Sequence, residues 1–237
     1  METLLILGAG GFGRETAQAV AAINDESPAF ELLGFLDDGP GLAGAEVDGV
    51  PVLGPMSDVG RYPEAMVVVT TGSPRNYFSR KRIVERLGLP LDRYATLVHP
   101  AASLARSVMV GPGSVLLAGV VATASVCIGS HVAVMPGAVF THDDVVGNYA
   151  TFGSGARLAG RVAVGEGAYL GSGALVRENR MIGPWAMVGM GSVVLRDIPG
   201  GEVWAGVPAR HLRMVKLPDD VAGVACRAAA IVGESYA

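Results

Sequence analysis

The sequence is poor in aromatic and charged residues. Phe, Trp and Tyr make up 6% of its 237 residues, and Asp, Glu, Lys and Arg only 17%. Glycine is abundant, at 34, and half of all residues are hydrophobic. That composition argues against a helical bundle and for short apolar strands joined by many turns. A basic surface is missing too: the net charge is −4, which leaves no electrostatic footprint for nucleic acid. Two cysteines, Cys127 and Cys226, supply neither a disulfide framework nor a metal motif, which fits a reducing cytoplasm. The opening METLLILGAGGFGRE has an acid at position 2 and no basic n-region, so it reads as strand and turn rather than as a secretory signal.

Charge is absent altogether from residues 107–141. Residues 107–130 are long and apolar enough for a membrane span. Regularly spaced Gly, Pro, Ser and Thr inside that run, and the same pattern beyond it, favour a repeat instead. From Val98 to Val194, every sixth residue is bulky and apolar except Ala122, and no insertion breaks the register. The fourth position after each anchor is usually small or β-branched, as at Ala102, Ser114, Val126 and Ala138. Gly111, Gly129, Gly147, Gly165 and Gly183 add a period of eighteen. Three hexads therefore make one coil of a triangular prism, with a short strand per face and glycine after the anchor suiting the tight corners. Coils stacked about 4.8 Å apart would cover one another's apolar interior.

Into this uncharged run FTHDDV brings His142, Asp143 and Asp144 together. In the eighteen-residue phasing, LARSVM, ATASVC, FTHDDV, LAGRVA, VRENRM and VLRDIP share one face. Asp144 and Arg180 there take slots that are small or β-branched elsewhere, and His142 shares a column with Gly160 and Glu178. Such a face is either a solvated surface with a stray histidine or a site. A carboxylate beside an imidazole can orient it and strengthen its basicity. The N–H of Gly160, one coil away, can bind a carbonyl oxygen as negative charge develops on it. A metal centre of three histidines on adjoining coils is disfavoured, because among His99, His131, His142 and His211 the middle two fall on different faces.

Residues 1–97 lack the six-residue period. LLILGAGGFGRETAQAVAAI reads as strand, glycine turn and helix, with Gly8, Gly10 and Gly13 in a G-x-G-x-x-G pattern. ELLGFLDD is a second strand ending in Asp37 and Asp38. AMVVVTTG is a third, ending at Thr70, Thr71 and Gly72, with a helix expected near residues 74–88. This is a small parallel α/β unit whose glycine turn would place phosphates at a helix N-terminus. It offers one mononucleotide-sized half, which favours a nucleotide attached to something else over NAD. A turn that merely packs the helix stays open. Arg75, Arg80 and Lys81 either meet phosphates beside the third strand or lie on a solvated helix face.

The hexads resemble those of the hexapeptide-repeat acyltransferases, which fold as left-handed β-helices. LLILGAGGFGRE, GFLDD, the hexads, THDD and the closing VWAGVPAR together resemble the sugar acetyltransferases of the PglD/NeuD type, over about residues 1–213. The expected layout is a Rossmann-like α/β domain over residues 1–97, a left-handed parallel β-helix over 98–199, and a cap and tail over 200–237, of which 218–237 form a helix or stay disordered. The resemblance implies a homotrimer with sites between subunits; a cytoplasmic location, no membrane and no metal are expected with it. It implies transfer of an acetyl group from acetyl-CoA to the amine of a nucleotide-linked amino sugar. It implies His142 as general base helped by Asp143, with the Gly160 amide at the acetyl carbonyl. It sets Gly8, Gly10, Gly13, Asp37, Asp38 and Gly72 against the nucleotide. Cations toward the end of the repeat, among them Arg177 and Arg196, would suit the phosphates of CoA, and Met190 is placed with them. Two positions depart from the pattern: some members carry Asn where Met135 stands, and a second histidine where Thr151 stands. O-acetylation of a free sugar such as sialic acid is the competing activity.

Overall fold

The computed structural model describes residues 1–216. The segment expected as a tail, 218–237, lies outside the described residues. In the N-terminal unit, β1 (Glu2–Leu7) runs parallel to β2 (Phe30–Leu36) on one side and to β5 (Met66–Val69) on the other. The apolar run Leu4–Leu7 is fully buried because both faces of this central strand are covered. Helix α1 (Gly11–Glu26) crosses from β1 to β2 and buries Ala17, Ala19 and Val20. Between β2 and β5 the structure adds a hairpin that the sequence reading lacked, β3 (Glu46–Val47) and β4 (Val50–Gly54). Its signal was the dipeptide Asp48-Gly49, whose φ values of 50° and 79° suit a tight hairpin turn. The sheet order is β3-β4-β2-β1-β5. Helix α2 (Ser79–Leu87) starts later than expected and ends on left-handed Gly88.

From Leu97 onward, seventeen two-residue strands follow at six-residue intervals, and each anchor from Val98 to Val194 is the second residue of one. Strands eighteen residues apart pair in parallel, as Val121–Ala122 does with Val139–Phe140. Three sheets result, here named after Phe140, Val146 and Phe152. The anchors fill one continuous core, in which Phe140 and Phe152 meet edge to face at 4.8 Å between ring centres. A short antiparallel pair, Glu202–Ala205 with Arg210–Met214, closes the Phe152 sheet and brings Trp204 against the last coil.

The corners differ from the sequence expectation. The glycine after each anchor has an ordinary φ, and its role is steric: a methyl on Gly165 would lie 2.5 Å from the next coil's backbone. The left-handed residue comes three positions after the anchor and recurs every six residues from Gly113 to Gly191. The corner after the Phe152 face uses Gly119, Gly137, Gly155, Gly173 and Gly191. The corner after the Phe140 face uses Ser125, Asp143, Arg161 and Asn179, none of them glycine. The corner after the Val146 face mixes glycine with rings: Gly113, His131, Tyr149, Gly167, Trp185. There His131 stacks on Tyr149 at 5.2 Å, and a methyl on Gly113 or Gly167 would strike the ring of His131 or Trp185.

The N-terminal unit packs onto the Phe152 face and this aromatic corner. Val115, Leu117 and Met135 join the cluster of Leu4, Ile6 and Val20. Tyr77 donates to the Trp185 carbonyl at 2.9 Å, and Tyr94 meets the His131 ring edge-on at 4.5 Å. Arg80 is neither a phosphate ligand nor part of a solvated face. It is fully buried and donates to the carbonyls of Thr71, Tyr149 and Ala150 and to the Thr151 hydroxyl. Burial without a carboxylate pulls its guanidinium down to about 10. Lys81 is also largely covered and pairs with Glu166 at 2.6 Å.

Candidate active site

LARSVM to VLRDIP do not form a flat face. Each block up to VRENRM spans the end of one strand, a corner, and the start of the next strand. His142 and Asp143 therefore occupy a turn between the Phe140 and Val146 faces, and their side chains project outward. His142 Nδ1 lies 2.9 Å from Asp143 Oδ2. In a neutral ring, Nδ1–H donates to that carboxylate, which leaves the Nε2 lone pair free; the hydrogen position follows from the partner. Arg161, on the next coil, stands 3.7 Å from the same carboxylate.

The imidazole lies against Gly160. A methyl there would sit 2.4 Å from His142 Nε2 and Cε1, so only glycine leaves room for the ring. The Gly160 carbonyl accepts from Asn179 N–H, whereas its own N–H has no backbone acceptor among the described residues. A proton acceptor and an unspent amide donor thus share one small patch.

Beneath them, the carboxylate of Asp144 is 0% exposed. It accepts from Thr141 N–H and, one coil on, from Val162 N–H, both at 2.8 Å. Burial pushes it up to about 6, against the pull of those two donors. Beside the turn runs a groove of about 680 Å³ lined by Val145, Ala163 and Met181 and edged by Arg161, Arg180, Asp143 and Asp197.

The remaining predicted residues divide. Arg177 and Arg196 stand on the His142 corner, two and three coils further along, both exposed, with Arg177 paired to Glu178 at 3.1 Å. Met190, 77% exposed, is on the all-glycine corner, away from His142 within one chain. In the N-terminal unit, Gly8 has φ +113° and Gly13 must lack a side chain, since its methyl would strike the Gly8 carbonyl oxygen. Gly10 has open space around it, and its neighbours begin α1 with no side-chain cap. Asp37 is already occupied: it accepts from Ala9 N–H and Gly39 N–H, both at 2.7 Å, and so braces the glycine turn. Asp38 accepts from Met56 N–H and pairs with Arg86 at 2.8 Å. Gly72 sits at φ +138° beside Arg80. Met135 and Thr151 both lie in the interdomain seam of their own chain, Thr151 as an acceptor for Arg80. Sequence reasoning missed Arg161, whose only signal was its place one column from Gly160, and left Asp144 without a role. Among the described residues no group of three or more His, Cys, Asp or Glu could hold a metal ion, and no helix is long and apolar enough to cross a membrane.

A left-handed β-helix carrying an outward histidine–aspartate pair over a glycine amide defines the class of hexapeptide-repeat acyltransferases. Residues 3–87 match the family model described as the PglD N-terminal domain. The acetyltransferase domain of PglB from Neisseria gonorrhoeae, solved with acetyl coenzyme A, is 31% identical with a TM-score of 0.79, over 89% of this chain and 99% of that one. PerB from Caulobacter crescentus, solved with CoA and GDP-perosamine, is 30% identical with a TM-score of 0.78, over 90% of this chain and 98% of that one. UDP-N-acetylbacillosamine N-acetyltransferase of Bacillus subtilis is 33% identical over 131 residues, which are 50% of this chain. The match spans about half, 52%, of that curated relative's length. The chain belongs to the PglD-type sugar acetyltransferases.

Proposed function

We propose that this protein transfers the acetyl group of acetyl-CoA to the amine of a nucleotide-linked amino sugar. The observation that carries the reading is the His142 imidazole, held through Nδ1 by Asp143 and lying over Gly160 with the N–H of that glycine unspent. His142 Nε2 takes a proton from the acceptor amine as the nitrogen attacks the thioester carbonyl carbon. The Gly160 N–H donates to the developing oxyanion. The C–S bond then breaks, the amide forms, and the thiolate leaves with the proton returned from the imidazolium. The groove beside the turn, apolar in its floor and edged with arginines, suits the pantetheine arm and the phosphates beyond it.

The glycine turn at Gly8, Gly10 and Gly13, with Gly72 beside it, takes the nucleotide phosphates at the N-terminus of α1. Asp37 acts by bracing that turn, and Asp38 stands at its rim. Within one chain this turn and His142 are on opposite sides: the N-terminal unit covers the Phe152 face, and the His142 corner is the one opposite that face. The acceptor held by one chain is therefore acetylated at the corner of a neighbour in a homotrimer. Exposed Val145, Leu175 and Met181 give that corner an apolar surface for the neighbour to cover. The reaction runs in the cytoplasm, where acetyl-CoA is available. Arg177 and Arg196 line the path of the cofactor, and Met190 reaches it from the adjoining chain.

The test is thiol release from acetyl-CoA against UDP-, dTDP- and GDP-linked amino sugars, with wild type and His142→Ala in parallel. Release with one amino sugar, abolished in the variant, supports the reading. Equal rates in the two proteins would remove His142 as the base. Acetyl-CoA binding without turnover on any amino sugar would move O-acetylation of a free sugar into first place.

A further inference from the structure

The slot four residues after each anchor normally packs a small or apolar side chain. In the column of Asp144 it holds Val108, Val126, Val162 and Ile198, and the one other departure is the part-exposed Arg180. Where the slot holds a serine, its hydroxyl makes a bond to the next coil: Ser114 Oγ accepts Val132 N–H, eighteen residues on, at 3.0 Å. Asp144 makes the equivalent bond to Val162 N–H, and its second oxygen takes Thr141 N–H. A hydroxyl in this position does not reach both. The carboxylate thus ties the residue before His142 to the residue two after Gly160. Among the described residues no Lys or Arg pairs with it. Burial raises it to about 6, a penalty a purely structural slot could avoid with valine.

We infer that Asp144 is a positioning residue for the transfer reaction, locking the His142–Asp143 turn in register with Gly160 on the next coil. The inference rests on His142 being the base. Val145, the residue after it, begins the strand that floors the groove, so one carboxylate fixes base, oxyanion donor and groove edge together. The charged groups facing it are His142 and Asp143 on its own turn. On the next coil the same corner presents Arg161, engaged with Asp143, and on the previous coil only Ala124, Ser125 and Val126.

The test is a double-substitution cycle, with kcat, the KM for acetyl-CoA and Tm measured at pH 8. Asp144→Val restores the packing of neighbouring coils. It is expected to keep or raise Tm, leave KM within about twofold, and lower kcat roughly ten- to a hundredfold, as misplacement of a reacting group by about 1 Å does. Asp144→Ser, which retains the bond that Ser114 makes, should recover part of that loss. It also serves if the valine variant does not fold. In a His142→Ala background, Asp144→Val should add little. Wild-type kcat in a folded Asp144→Val variant would overturn the inference. So would an equal loss from Asp144→Val with and without His142. If His142→Ala alone is as active as wild type, the reading of His142 as base fails instead, and Asp144 is left with nothing to position.

Discussion

Two corners of the β-helix share one backbone and almost nothing else. After the Phe152 face, the left-handed position is glycine in every coil, with φ between 64° and 71°. After the Phe140 face, the same position is Ser125, Asp143, Arg161 and Asn179, with φ between 54° and 63°. An L side chain in this conformation costs about 1–2 kcal/mol, less for Asn and Asp. The first corner avoids that cost and the second accepts it in four successive coils. Side chains held at strained positions by a rigid frame are what a site needs, and the strained corner carries His142, Asp143 and Arg161. On the proposed reading, a uniform repeat supplies the rigidity, and one edge of it supplies the chemistry.

The comparison breaks most visibly at His142. Replacement by Ala should lower kcat by about 10²–10⁴, read as thiol release, with Tm little changed. Gly160→Ala comes next, with a roughly ten- to a hundredfold loss of kcat, because the methyl enters the space of the imidazole. A third measurement concerns the aromatic corner. His131 is buried between Tyr94 and Tyr149, and burial, with Arg80 nearby, lowers it to about 4. An imidazole lowered on folding stabilises fully above its ordinary value near 6.5. That stability is lost as pH falls toward about 4, about 2 kcal/mol of it by pH 5. His131→Phe should flatten the fall in Tm between pH 7.5 and 5. Asp144 has the opposite sign, since a raised carboxyl stabilises more as pH drops through about 6. Asp144→Asn should therefore steepen the fall.

Smaller effects sharpen the contrast. Gly155→Ala has open space around the methyl but a φ of +67°, so it should cost about 1 kcal/mol in denaturant unfolding while leaving the rate alone. Gly160→Ala reverses that pattern. Asn179→Gly, on the strained corner, should gain up to about 0.5 kcal/mol, the small left-handed cost of Asn offset by the chain entropy of glycine. Equal effects of the two glycine substitutions on kcat would mean the two corners do not divide support from chemistry.

Much of this was legible in the sequence. The anchors stand at a strict interval because each must be the inward residue of a two-residue strand, and Asp144 drew notice as a charge in an apolar slot. The left-handed ladder was not legible, because half of its residues are not glycine and nothing in their composition marks the conformation. The burial of Arg80 was hidden inside SRKRIVERL, which looks like a solvated helix. The place of Met135 and Thr151 in the seam was hidden, because sequence spacing does not reveal which face of a coil another domain covers. The nucleotide turn was recognisable from its glycines, but the bonds that occupy Asp37 were not.

The placement of the glycine turn and His142 on opposite sides of one chain has a consequence for mixed populations. On the proposed trimer, a chain lacking the base can still present an acceptor, and a chain with a broken glycine turn can still offer its base. Mixing His142→Ala with a variant blocked at Gly13, then allowing subunits to exchange, should restore activity at about one site in four. If the proposed trimer holds the sites between subunits, dilution that separates the chains should silence even the intact protein. Two inactive preparations would together make an active one.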